Sequence, residues 1–459
     1  MTDHLRGEGA SISTLVASPK RKPGEVARRK LLDAAEEVYA ERGLDGASVR
    51  MLTQRAGIRL GAITELFGGL DALPRAAIER RHGELLAARR DRLESHPNPG
   101  LPQIIEAYAL PLIERACADA GWKAYSRVWA QLVCAFSWDQ KLGATIEPDA
   151  EFFIRQIAKA DPRLGLVQSC WVFLFMMGAV GAICADNGRI DRLSRGQVSS
   201  ADFELIVPKL VPYLLGGIQA LAAKAMRAEL NDFPVSRKRS KEPRDVILDS
   251  AERMFAAHSF FGTSFRMIAR SSGLSVGLLQ HYFGTKEQLF QEALIRRAAP
   301  IEEQRRMLLA RSSEAERGPD RLQAVYSAWL EPTARHLQLG GKSWRDHVRM
   351  SMTAINSQGE QWLDALDATH TAVTRSMVEA AATAQPGMTF EDACHAHLFL
   401  NGSISICYST EDRMRRLSDG AIQPDDYREA YSQLLHFHTG GSLALAGRAT
   451  QSATSTARR

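Results

Sequence analysis

GLSVGLLQHYFGTKEQL, residues 273–289, decides the fold, because a second version of it, GIRLGAITELFGGLDAL, stands 216 positions earlier at residues 57–73. Longer stretches around the two align without a gap. The shared positions include Leu32/Leu248, Ala35/Ala251, Gly46/Gly262, Arg50/Arg266, Gly57/Gly273, Gly61/Gly277 and Phe67/Phe283. A preceding basic arm repeats at the same spacing, with Arg21 and Lys22 answering Arg237 and Lys238. Downstream, RLSRGQVSSADF (192–203) pairs with RLSDGAIQPDDY (416–427), and Gly216-Gly217 pairs with Gly440-Gly441. The offset has become 224 there, as insertions in loops allow. The 459-residue chain is therefore two long repeats, not a solenoid of short ones.

The repeated segment reads as three short helices. In the second copy, Ile247, Ala251, Met254 and Phe255 make one helical face. Thr263 and Ser264 offer an N-cap for a helix that ends at Gly273. Ser275 caps the next, with Leu279 and Phe283 buried at i and i+4. Thr285 and Gln288 have the spacing of a capping box. Two helices joined by a tight glycine turn make a helix-turn-helix, whose last helix enters the major groove. Val276, Leu278, Gln280 and His281 are its outward positions. Gln280 suits adenine, His281 suits bases or phosphates, and Val276 suits a thymine methyl. Lys286, at a helix start, suits a phosphate. Arg237, Lys238 and Arg239 suit the backbone or the minor groove.

TSFRMIARSSGLSVGLLQHYFGTKEQLF (263–290) resembles the DNA-binding head of the TetR family of transcriptional regulators. The resemblance covers about 50 residues per copy and is carried by Thr263, Ile268, Ala269, Gly273, Ser275, Gly277, Phe283, Lys286 and Leu289. The family usually has tyrosine where Gln280 stands, and Tyr282 occupies its usual histidine position. The resemblance implies an all-α protein of two helix-turn-helix heads, each followed by a helical ligand-binding and dimerising body. It also implies a repressor of transcription, released by a small apolar or amphipathic molecule, with double-stranded operator DNA as partner. The expected DNA-facing set in the second head is Arg237, Lys238, Arg239, Thr263, Ser264, Ser275, Val276, Leu278, Gln280, His281, Tyr282 and Lys286.

The first head keeps the frame and loses polar groups. Thr263, Ser275, His281 and Lys286 are matched by Ala47, Arg59, Glu65 and Leu70. Loss of a serine cap costs roughly 1 kcal/mol. Ser48, Arg59 and Thr64 remain as candidate DNA contacts, so weak or altered contact is expected there. One chain then carries two divergent heads, an intrachain pseudo-dimer reading an asymmetric operator. The alternative is a homodimer of chains presenting two second heads to a palindrome.

The expected organisation is a tail (1–19), a degenerate head (20–81), a body (82–226), a linker and basic arm (227–242), a second head (243–297), a second body (298–447) and a tail (448–459). Net charge is +5. Residues 20–81 hold 13 Lys/Arg against 9 Asp/Glu, and residues 237–297 hold 11 against 6, so the basic excess lies in the heads. Cys117, Cys134, Cys170, Cys184, Cys394 and Cys407 form no CxxC pair, which fits a reducing cytoplasm. Residues 164–185 lack charge over a length that can span a bilayer, but a buried interface helix is the better reading, and no membrane partner is expected. Cys394 and His397 share a helical face, half of a metal site without a second half. Neither a cofactor fingerprint nor a catalytic motif is present, so no enzyme is expected. In the bodies, aromatic stripes supply Trp129, Trp171, Phe175, Trp344 and Phe399 as candidate ligand contacts. The competing function is a small-molecule sensor or protein-interaction module that has lost DNA binding.

Overall fold

The computed structural model describes residues 23–134, 136–223, 228–230, 242–356, 370–409 and 411–456. The basic arm 237–239 lies outside the described residues. Every regular element described is helical. The first head contains α1 (Pro23–Arg42), α2 (Val49–Ala56) and α3 (Ala62–Phe67). Its body follows with α4 (Leu73–Glu94), α5 (Leu101–Ala118), α6 (Ala120–Cys134), α7 (Phe136–Ala160), α8 (Gly165–Ala185), α9 (Arg189–Ser194) and α10 (Phe203–Ala222). The second head contains α11 (Pro243–Gly262), α12 (Phe265–Ser272), α13 (Val276–Phe283) and α14 (Lys286–Ile295). The second body contains α15 (Ala298–Ser312), α16 (Pro319–Gly340), α17 (Lys342–Ile355), α18 (Ala372–Ala384), α19 (Phe390–Ser409), α20 (Glu411–Leu417) and α21 (Tyr427–Thr456).

One difference between the halves has a local cause. The single helix α4 corresponds to the pair α14 and α15. Pro300 stands where the first half has Glu84. It removes the amide that would bond to the Arg296 carbonyl, so the helix stops and restarts at Ala298.

The halves join through α8 against α19 and α10 against α21. Residues 170–181 are buried all round α8, which explains why that segment is apolar on every face. Glycines set the closeness of the crossing. A Cβ at Gly178 would lie 2.6 Å from the Gly402 carbonyl carbon. A Cβ at Gly216 would lie 2.5 Å from the Gly440 oxygen, and one at Gly440 would lie 2.6 Å from the Gly216 oxygen. Gly217 meets the Phe437 ring, and Gly441 meets the Tyr213 ring. Each contact is thus matched by one between the residues 224 positions away, the self-complementary pattern of a two-fold interface.

Candidate DNA interface

The second head is built by its caps. The Ser264 side chain accepts from Met267 N at 3.3 Å, Ser275 from Leu278 N at 3.2 Å and Thr285 from Gln288 N at 3.2 Å. In return Thr285 N donates to Gln288 Oε1 at 3.0 Å, which completes the capping box. Gly273, in the left-handed region at φ 73°, turns the chain between α12 and α13. Leu279 and Phe283 are buried under α13, while Gln280, His281 and Tyr282 are exposed and Val276 and Leu278 half-buried. The outward polar set of α13 is the one a groove-reading helix needs.

Two expected contacts are engaged inside the head, and this corrects their expected placement. Thr263 is 2% exposed, and its hydroxyl donates to the carbonyls of Met254 (3.1 Å) and Ser259 (2.7 Å). It ties the end of α11 together; its neighbour Ser264 is the exposed cap. The Lys286 ammonium donates to the carbonyls of Phe260 (3.0 Å) and Thr263 (3.1 Å) and lies 4.2 Å from the Phe260 ring centroid. Burial pulls its pKa below the usual lysine value. Lys286 therefore braces α14 against the end of α11.

The first head differs where its sequence differs. Arg59 replaces the capping serine, and no side chain caps α3, which begins at Ala62, two positions later than its counterpart α13. Arg59 pairs with Glu65 at 2.5 Å, and Arg55 pairs with Glu37 at 2.9 Å and Glu41 at 3.0 Å. Ser48 still caps α2, accepting from Met51 N at 3.3 Å, and Thr64 is exposed. The two heads also meet each other. A Cβ at Gly46 would lie 2.9 Å from Phe261, and one at Gly262 would lie 2.9 Å from Asp45, again a reciprocal pair.

The head pattern at residues 31–77 and 247–293 matches the family described as bacterial regulatory proteins, tetR family. Residues 106–217 and 327–441 match the tetracyclin repressor-like C-terminal domain. The chain belongs to the TetR family. Similar proteins include the HTH-type transcriptional regulator BetI of Escherichia coli, 28% identical over 113 residues, which are 24% of this chain and 58% of that one. The HTH-type transcriptional repressor AcnR of Corynebacterium efficiens is 43% identical over 47 residues, 10% of this chain and 25% of that one. The chain thus spans less than two thirds of the length of these relatives.

In this TetR-family chain the five aromatic ligand candidates fall in three places. Phe175 packs on Phe437 (4.8 Å between ring centroids) and Phe399 on Tyr213 (4.9 Å), both across the join between halves, with Trp171 beside Phe175. Trp344 packs on His336 and under Arg297, near the second head. Trp129 lies in the first body, lining a space of ≈ 330 Å³. A larger cleft of ≈ 710 Å³ opens in the second body among Arg305, Trp329, Ser351, His397, Asn401 and Tyr408. The two copies keep the arginine, Arg89 and Arg305, but Ser351, His397 and Asn401 stand where the first body has Trp129, Phe173 and Met177.

That cleft reaches the second head through buried charge. His347 lines it, and His347 Nδ1 lies 3.3 Å from Glu252 on α11. Burial opposes ionisation of Glu252, but His347, Arg297 and Arg296 outweigh it and hold its carboxyl below the usual value. In the first half, Glu36 keeps the arginine pair as Arg80 and Arg81, but Tyr125 stands at the histidine position and contacts His82. Among the described residues no group of three or more His, Cys, Asp or Glu could hold a metal ion.

Proposed function

We propose that the protein is a cytoplasmic, sequence-specific DNA-binding repressor of transcription, a fused pseudo-dimer with divergent heads that a small apolar or amphipathic ligand releases from its operator. The observation that carries this reading is the capped α13 with Gln280, His281 and Tyr282 outward, on a head braced by Thr263 and Lys286. The reciprocal glycine contacts support the pseudo-dimer, because one chain already fills the surface that a TetR-family partner would cover. The name of AcnR, a transcriptional repressor, supports repression. The 28% identity to BetI, a transcriptional regulator, supports control of transcription.

In this function the second head supplies sequence preference. Gln280 and His281 read base edges, Val276 and Leu278 give apolar contacts, and Ser264, Ser275 and Tyr282 face the backbone, with Arg237, Lys238 and Arg239 as the arm. The first head, through Ser48, Arg59 and Thr64, adds weak contact, since Arg55 and Arg59 already hold carboxylate partners. That same neutralisation is what favours the second reading, a sensor that no longer binds DNA. Selection of binding sites from random-sequence DNA separates the two. The regulator enriches one motif, and its affinity falls steeply with salt. A sensor enriches none.

A further inference from the structure

The two bodies carry cavities lined from corresponding positions of the two repeats. In the second body, Ala298, Ser351, His397 and Asn401 line the cleft. The matching positions of the first body are His82, Trp129, Phe173 and Met177, and all four line its smaller space of ≈ 330 Å³. The frame is otherwise kept. Arg89 stacks on Tyr108 (3.9 Å) and donates to the Tyr108 carbonyl (2.8 Å); Arg305 stacks on Trp329 (3.7 Å) and donates to the Trp329 carbonyl (3.1 Å). Each cavity also receives an arginine from the opposite half: Arg413 in the first, Arg189 in the second. Large side chains, three of them Trp129, Phe173 and Met177, have filled one site, while its twin keeps small or polar ones.

The open site carries hydrogen-bonding capacity that the protein does not use. Trp329 Nε1, His397 Nδ1 and Tyr408 Oη are buried without a hydrogen-bond partner. Asn401 Nδ2 donates to His397 Nε2 at 2.8 Å, which places the proton of the neutral ring on Nδ1. Burial, with Arg189 and Arg305 nearby, pushes the His397 pKa down to about 3, so the ring stays neutral at pH 7. All three groups can donate. Among the described residues, two guanidinium groups and no carboxylate line the cleft; Glu302, behind Arg305, is bound to Arg305 (2.9 Å) and His370 (2.7 Å). The remaining wall is apolar, including Ile301, Val348 and Ile404.

We propose that the second body alone holds a small-molecule site, one per chain, and that this site takes an amphipathic organic anion, with its carboxylate against Trp329 and His397, whose rings lie 5.3 Å apart between centroids, and its apolar part against Ile301, Val348 and Ile404. An acceptor-bearing head satisfies buried donors that otherwise cost free energy. An ammonium head satisfies neither the Trp329 nor the His397 N–H and meets two cations. This assignment rests on the effector-responsive function proposed above. Measuring binding without DNA keeps the two apart: loss of ligand binding alone removes this assignment, and loss of DNA binding alone removes the regulator.

The test is calorimetric titration of the full chain with 4-phenylbutyrate and with 4-phenylbutylamine, which share a tail and differ in head. The site predicts one equivalent of phenylbutyrate per chain and at least about tenfold weaker binding of the amine, a difference of about 1.4 kcal/mol. Ser351→Trp, which carries the first body's residue into the second, abolishes binding. His397→Phe, similar in size and found at the matching first-body position, weakens it at least about tenfold and keeps the test standing if the tryptophan variant does not fold. Two equivalents per chain, equal binding of the amine, unchanged affinity in folded His397→Phe, or no saturable phenylbutyrate binding up to its solubility would each overturn the assignment.

Discussion

Ser259 occupies the backbone position in the second head that Gly43 occupies in the first, and the two share one conformation: φ 56°, ψ 178° for Ser259 and φ 72°, ψ 169° for Gly43. Glycine adopts that region without cost, whereas a residue with a Cβ is strained there by about 1–3 kcal/mol. The Ser259 carbonyl receives the Thr263 hydroxyl, which helps to hold the strained turn. Ser259→Gly is therefore expected to raise stability by about 1 kcal/mol. Urea denaturation monitored by circular dichroism measures it, and an unchanged or lowered midpoint contradicts the strain.

The join between halves depends on glycine. Because a Cβ at Gly178 would meet backbone atoms of Gly402 and Ser403, no side-chain rotation relieves the clash. Gly178→Val is expected to cost about 1–3 kcal/mol or more. Gly83→Ala is the matched control: nothing lies within 4 Å of its Cβ, and it stands inside α4, so it is expected to gain about 0.5–1 kcal/mol. Thermal unfolding of the two variants should move in opposite directions.

Burial holds His82 and His395 to a pKa of about 4 and His397 and His438 to about 3, below the ordinary 6.5. Below pH 6.5 the unfolded chain takes up these protons before the folded one does. Their contribution to stability is complete above pH 6.5 and is lost as pH falls toward 3–4, by at most about 1.4 kcal/mol per pH unit for each ring. The urea midpoint should fall from pH 7.5 to pH 5, and His438→Gln should narrow that fall. A midpoint equal at both pH values would show that these rings do not stay neutral in the fold.

Lys286 joins two roles. Lys286→Met removes two charge-assisted bonds to the end of α11, each worth about 1.5–3 kcal/mol. It should lower stability and weaken DNA binding at all sequences alike. Gln280→Ala and His281→Ala, on exposed positions, should leave stability within about 0.5 kcal/mol and change sequence preference instead. Selected-site enrichment with each variant distinguishes the two patterns.

The heads were legible in the sequence because capping is local. Ser264, Ser275 and Thr285 announce their helices from adjacent residues, and all three make the bonds that their positions imply. Thr263 was misplaced because a hydroxyl at a helix start looks alike whether it faces DNA or the carbonyl of Met254, nine residues back. The aromatic stripes were less legible. On α8 and α19 nearly every face is buried, so spacing did not separate Phe175 and Phe399, at the join between halves, from Trp329, in the cleft. The cleft is set by where small residues are left, and Ser351 or Asn401 alone carries no such sign.

The central claim, one chain acting as a pair with unequal heads, is tested most directly by footprinting the protein on a selected DNA site while native mass spectrometry counts chains on that site. The account predicts one chain on an asymmetric site, strongly protected over the half read by Gln280 and His281 and weakly over the other. Two chains on a palindrome with equally protected halves would contradict it.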